Sequence, residues 1–140
     1  MGKRINTILL STILFLMIAG PIIYFFILGN DGEKNAEKSI DDIISLSVDV
    51  KDVTTNLGSG DIIQISIKIQ ADGKKAKQEL EKRNFQVNNV LIKHLSSLEV
   101  KDLASSEGKS NLENDLKDQF NELLSEGQVE KVYITSIIIQ

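Results

Sequence analysis

From Ile5 to Leu28 the chain runs for 24 residues without a charge, and 18 of them are Ile, Leu, Phe, Met, Ala or Tyr. A bilayer core needs about 20 such residues in a helix, so the pattern predicts a single transmembrane helix over 5–28. A cleaved signal peptide is the rival reading, but its apolar stretch is usually about 7 to 15 residues long. The small pair Ala19 and Gly20 is followed by Pro21, and Ile22 to Leu28 then prolong the run. The uncleaved anchor is therefore preferred, with a secreted product as the alternative. Lys3 and Arg4 precede the run and Asp31, Glu33, Glu37, Asp41 and Asp42 follow it. By the positive-inside bias, residues 1–4 are expected in the cytoplasm and the rest of the chain outside.

Residues 29–42 contain two Gly, two Asn and seven charges, with no apolar periodicity, and read as a linker. As a flexible coil, 14 residues span roughly 20 Å, which would keep the following domain, 43–140, close to the membrane.

In that domain Ile44, Leu46, Val48 and Val50 alternate with polar residues, the period of a half-buried strand, and Val53, Thr55 and Leu57 extend the pattern. Gly58-Ser59-Gly60 supplies a turn. Ile63, Ile65, Ile67 and Ile69 then alternate with Gln64, Ser66, Lys68 and Gln70, predicting a hairpin whose second strand buries one face. Its polar face is open to solvent or to a partner.

After Asp72-Gly73 the period changes. Ala76, Leu80, Val87, Leu91, Leu95 and Leu98 recur at helical spacing, with Val90 widening the stripe. Asn84 either caps a second helix or interrupts one long one. A further helical run carries Leu112, Leu116, Phe120, Leu123 and Leu124 and starts near Ser105 or near Ser110, where Ser110 and Glu113 fit a capping box. Gly127 is the expected stop.

From Val129 to Gln140 the composition is that of a strand, with Val132, Ile134 and Ile138 on one side and Tyr133, Thr135, Ile137 and Ile139 on the other. Apolar residues on both faces predict a central strand covered twice or a strand at an oligomer contact. The predicted order is three strands, helices and a final strand, an α+β fold around one core.

Charge and composition then narrow the function. The net charge is −4, and setting aside Lys3 and Arg4 takes it to −6. An acidic body with lysines spread among acids disfavours nucleic acid as a partner. The chain has no Cys and one His, His94, which excludes thiolate sites and two-His metal sites. No GxSxG, GxxxxGK[ST] or HExxH pattern is present. His94 shares a helical stretch with Leu91, Leu95 and Leu98 and is expected at the boundary between core and solvent. Asp102 with Glu107, and Asp115 with Asp118, are carboxylate pairs in name, but acids early in a helix are favoured by its dipole. Ser105-Ser106-Glu107-Gly108-Lys109 is only loosely like a phosphate loop, and a helix start accounts for it better. Neither enzymatic activity nor a cofactor is expected. The residues alone leave two further readings beside an assembly protein, a membrane-anchored ligand- or wall-binding module and a secreted hydrolase.

A series of residues runs from Val90-Leu91-Ile92-Lys93-His94-Leu95-Ser96, through Lys101-Asp102-Leu103 and Glu107-Gly108-Lys109, to Leu112, Asn121, Leu124, Gly127, Val129, Val132-Tyr133, Thr135 and Ile139-Gln140. It resembles the FliL family of flagellar basal body-associated proteins. Val53-Thr54-Thr55-Asn56-Leu57 before a strand belongs to the same series. Phe85-Gln86-Val87-Asn88-Asn89 departs from it, since many members look like Pro-x-Ile-Arg-Asp there. The resemblance implies a single-pass protein of the cell membrane and flagellum basal body, with an extracytoplasmic domain similar to stomatin-type domains. It implies flagellar stator subunits of the MotA and MotB type as partners, self-association into a ring, and a part in motor torque, swimming, swarming and chemotaxis. Asp102, Leu103, Glu107, Gly108, Lys109, Gly127, Val132, Tyr133, Thr135 and Gln140 are the positions it marks, as structural residues.

Overall fold

A computed structural model of the protein describes residues 38–140, and Ser39–Gln140 form one compact unit. The expected membrane span over 5–28, with Lys3 and Arg4 before it, lies outside the described residues. Among those described, no helix is long and apolar enough to cross a membrane.

The unit is α+β. Helix α1 (Ile40–Ser45) leads into strand β1 (Ser47–Asn56) and strand β2 (Ile62–Ala71). Helices α2 (Lys74–Lys82), α3 (Asn84–Leu95), α4 (Val100–Leu103) and α5 (Ser106–Asn121) follow, and strand β3 (Val129–Ile139) completes the sheet. The three strands are antiparallel in the order β1-β2-β3.

The central strand fixes the layout. Ile63, Ile65, Ile67 and Ile69 are at most 1% exposed and face the helices. Opposite them stand Thr55, Val53, Val50 and Val48 of β1 and Ile139, Ile137, Ile134 and Val132 of β3. A one-residue slip would turn all four Ile to the other face, at about 1.5–3 kcal/mol for each side chain exposed, so the alternation specifies the register. The helices close the core with Ala76, Leu80, Val87, Leu91, Leu95, Leu103, Leu112, Leu116 and Phe120, all buried.

Both outer strands carry one extra residue at the same level of the sheet. Val50 faces Ile67 and Val53 faces Ile65, so β1 bulges at Lys51 and Asp52, where Asp52 takes φ 54°. Ser66 faces Ser136 while Ile67 faces Ile134, so β3 bulges at Thr135. Ser66 ties the two bulges together: its hydroxyl accepts the Asp52 N–H at 3.0 Å, and its carbonyl oxygen accepts the Thr135 hydroxyl at 3.0 Å.

Several sequence expectations are corrected here. The strand expected from Ile44 begins at Ser47, because Ser39 caps a helical turn by accepting the Asp42 N–H at 3.1 Å. The final residues of the stretch read as linker, 40–42, belong to α1. The two strand segments before the hairpin are one bulged strand. The helical region is two helices, parting at Arg83 rather than capped by Asn84. The last long helix starts at Ser106 behind an Ser105 cap, not at Ser110, and ends at Asn121, so Leu123, Leu124 and Gly127 lie in the connection beyond it.

The largest correction concerns β3. It is an edge strand, not a central one. The bulge at Thr135 also shifts its alternation, so Val132, Ile134, Ile137 and Ile139 share the helix-covered face. Tyr133, Ser136 and Ile138 share the other. Simple period-two counting from Val132 placed Ile137 and Ile139 with Tyr133, because a bulge leaves no mark in the apolar pattern.

Candidate functional site

The marked residues lie at the crossing of two helices, at the return into β3 and along β3 itself, and for most of them the local geometry explains the residue type. The first is the crossing of α4 and α5. The backbone N–H of Glu99 donates to Asp102 Oδ2 at 2.8 Å, closing the start of α4, and Leu103 is buried beneath it. Ser105 then caps α5 by accepting the Gly108 N–H at 2.9 Å. A Cβ on Gly108 would overlap the carbonyl oxygen of Asp102, so the two helices approach here without room for a side chain. Glu107 is exposed and Lys109 half-buried. Lys101 pairs with Glu99 at 2.7 Å, and that carboxylate raises the ammonium pKa above its usual value.

A shallow cleft of about 380 Å³ opens at this crossing, lined among others by His94, Asp102, Ser105, Gly108 and Asp115. His94 occupies the expected boundary position at the end of α3. Its Nδ1 lies 2.9 Å from the Gln119 side-chain nitrogen, and its Nε2, buried without a hydrogen-bond partner, lies 3.5 Å from Asp115 Oδ2. At that separation the contact with Asp115 is electrostatic rather than a hydrogen bond. The Ser105 hydroxyl, on the same cleft, accepts the Gly108 N–H as the helix cap. Asp102 with Glu107 does not form a working acid pair, since Asp102 holds backbone and Glu107 faces water. Among the described residues no three His, Cys, Asp or Glu are grouped to hold a metal ion.

The second place is the return from α5 into β3. Asn121 accepts the Val129 N–H at 2.7 Å and donates to the Val129 carbonyl oxygen at 3.3 Å, copying a strand neighbour with one side chain. Gly127 takes φ 74°, and a Cβ there would meet Asp72 Oδ1 at 2.7 Å and the Ala76 methyl at 2.9 Å. Two independent constraints thus require glycine. Val132 is buried in the core.

On the open face of the sheet, Tyr133 donates its hydroxyl to Gln70 Oε1 at 3.0 Å, and Gln70 Nε2 donates to Glu130 at 2.7 Å. Lys131 lies 4.8 Å from the centre of the Tyr133 ring. Lys68 bonds Asp49 at 2.6 Å across the hairpin, and this hydrogen bond holds the Asp49 carboxyl below its usual pKa. Thr135 forms the bulge bond to Ser66, and the backbone of Gln140 exchanges two 2.9 Å hydrogen bonds with Ile62. At the β3 bulge, Glu113 of α5 accepts the Ile134 N–H at 2.8 Å. Sequence reasoning read Glu113 as half of a capping box with Ser110, whereas it bonds β3, and it did not single out Asp52; both roles depend on how the strands are placed.

Most of the marked positions therefore resolve into caps, close approaches and bulge locks, joined by the Asn121 clamp. Comparison with known proteins agrees with the residue series. The family described as flagellar basal body-associated protein FliL matches residues 47–140. A flagellar protein FliL of Bacillus subtilis (strain 168) is 47% identical over 117 residues, covering 83% of this chain and 84% of that protein. A flagellar protein FliL of Aquifex aeolicus (strain VF5) is 30% identical over 77 residues, 55% of this chain and 48% of that protein. The sheet, its helical cover and the positions that lock them together are thus those of a chain that belongs to the FliL family of flagellar basal body-associated proteins.

Proposed function

We propose that this protein is a non-enzymatic, single-pass component of the cell membrane whose extracytoplasmic domain associates with the stator units of the flagellar motor. The domain assembles as a ring of copies, as stomatin-type domains do, and supports torque, swimming, swarming and chemotaxis. The observation that carries the reading is family membership across 47–140, joined to the uncharged run of 24 residues at 5–28 in the sequence. Lys3 and Arg4 orient that run with the N-terminus in the cytoplasm. Asp102, Gly108 and Gly127, at the α4–α5 crossing and the α5–β3 return, act on fold geometry, which suits a protein that works by contact.

The test places a photocrosslinking residue at Gln64 or Lys68, on the open sheet face, in motile cells, with mass spectrometry of the adducts. A stator subunit or a second copy of the chain among the adducts, together with impaired swarming on deletion, is the expected result. Unchanged motility under load and adducts only with wall material would replace this reading by a wall-binding module.

A further inference from the structure

The helical surface of the unit is divided by charge. Along α5 and its C-cap, Glu107, Asn111, Asn114, Asp115, Asp118 and Glu122 are exposed at helical spacing, one polar ridge over four turns. It carries four carboxylates, and the two lysines of α5, Lys109 and Lys117, are half-buried beside it. Among the described residues, no salt bridge reaches Glu107, Asp118 or Glu122, and Asp115 meets only His94. Helix α2 has the opposite character. Lys74, Lys75, Gln78 and Lys82 are exposed on one side of it, above the buried Ala76 and Leu80, with Arg83 at its end; the one exposed carboxylate among them, Glu81, is paired with Lys77 at 3.8 Å. Lys75 bonds Glu126 and Arg83 bonds Glu79, while Lys74 and Lys82 carry no ion pair among the described residues.

Between these helices lies α3, which packs against both. Its outward side carries Phe85, 72% exposed, and two turns further Ile92, 38% exposed. Such apolar side chains are the part of this surface that gains most from being covered. Charges of opposite sign on one molecule match a second copy of the same molecule. A pair of such ridges sets orientation and encounter rate, while buried apolar area supplies affinity.

Resting on the ring reading above, we propose that the acidic ridge of α5 in one copy docks on the basic side of α2 in the next, covering Phe85 and Ile92 along the seam. The contact joins two different surfaces, so it repeats head to tail and closes into a ring where the rotation allows.

The experiment uses the full chain in detergent, with mass measured by light scattering at low and high salt and folding checked by circular dichroism. Two variants reverse exposed charges only, D118K with E122K, and K75E with K82E. Each alone is expected to fall to the monomer mass with an unchanged spectrum. Mixed in equal amounts they are expected to regain the wild-type mass, because each presents the ridge that the other now needs. Wild-type association is expected to weaken as salt screens the ridges, the Debye length falling from about 10 Å at 0.1 M to about 3 Å at 1 M. A wild type that assembles while both variants also assemble alone, or a mixture that stays monomeric, overturns this interface and leaves the ring standing. A wild type that is monomeric at every salt concentration overturns the ring reading itself.

Discussion

Asn121 and Val129 hold each other through two hydrogen bonds, the side-chain amide of one spanning the N–H and the carbonyl oxygen of the other. Val129 is 1% exposed, so neither backbone group has water as a substitute. Asn121→Ala is expected to lower stability by about 1–3 kcal/mol, the range for a buried polar group left without its partner. Urea unfolding followed by circular dichroism reads the effect, and an unchanged midpoint would refute the clamp.

At Gly108 the constraint is space. Gly108→Ala places a methyl group in the volume of the Asp102 carbonyl, so α4 must move away from α5. Overpacking of this kind costs about 1–3 kcal/mol. The same substitution at Gly73, where a Cβ meets nothing within 4 Å, should lose far less. Equal midpoints for the two variants would remove the steric account.

These two cases show what a sequence reading reaches. Ile63 to Ile69 announced their buried face because period-two burial is written in the side chains themselves. The core positions of α2, α3 and α5 were legible for the same reason, at a period of 3.6. Gly108 and Gly127 could be marked as needed, but the atoms that need them, Asp102 in one case and Asp72 and Ala76 in the other, lie far enough away that only the fold identifies them. The bulge at Thr135 was invisible because one inserted residue changes register without changing composition. The ridges on α2 and α5 were present in the sequence as scattered charges, and became surfaces only when the buried side of each helix was known.

That register shift separates two neighbouring isoleucines. Ile137 shares the helix-covered face with Ile65, whereas Ile138 sits on the open face opposite Gln64 and is 47% exposed. Ile137→Lys is expected to destabilise the unit by about 2–3 kcal/mol, in the upper range for single substitutions. Ile138→Lys should fold with a wild-type spectrum and midpoint. A reversed order in thermal melts of the two variants would mean that the β3 register is wrong.

Acid should loosen the contact between α2 and the turn before β3. Glu79 accepts the Ser125 N–H at 3.0 Å and bonds Arg83, and these hydrogen bonds hold its carboxyl below the ordinary value of 4.5. The folded chain therefore binds this proton less tightly than the unfolded chain. The resulting stabilisation is complete above pH 4.5 and is lost as the pH falls through the lowered value. Glu79→Gln should flatten that part of the acid limb in a series of unfolding midpoints from pH 7 to pH 3. An acid limb identical to wild type would show that Glu79 contributes nothing to it.

The paired bulges joined through Ser66 have a consequence for life at high local density. At high density bare strand edges meet, and a long flat edge is a template on which strands of other chains can grow into aggregates. Here both free edges, β1 and β3, are broken at the same level, one by a left-handed Asp52 and the other by Thr135, so neither presents an unbroken row of amides. The bends that fix the alignment of this sheet thereby also make it a poor seed for amyloid-like growth.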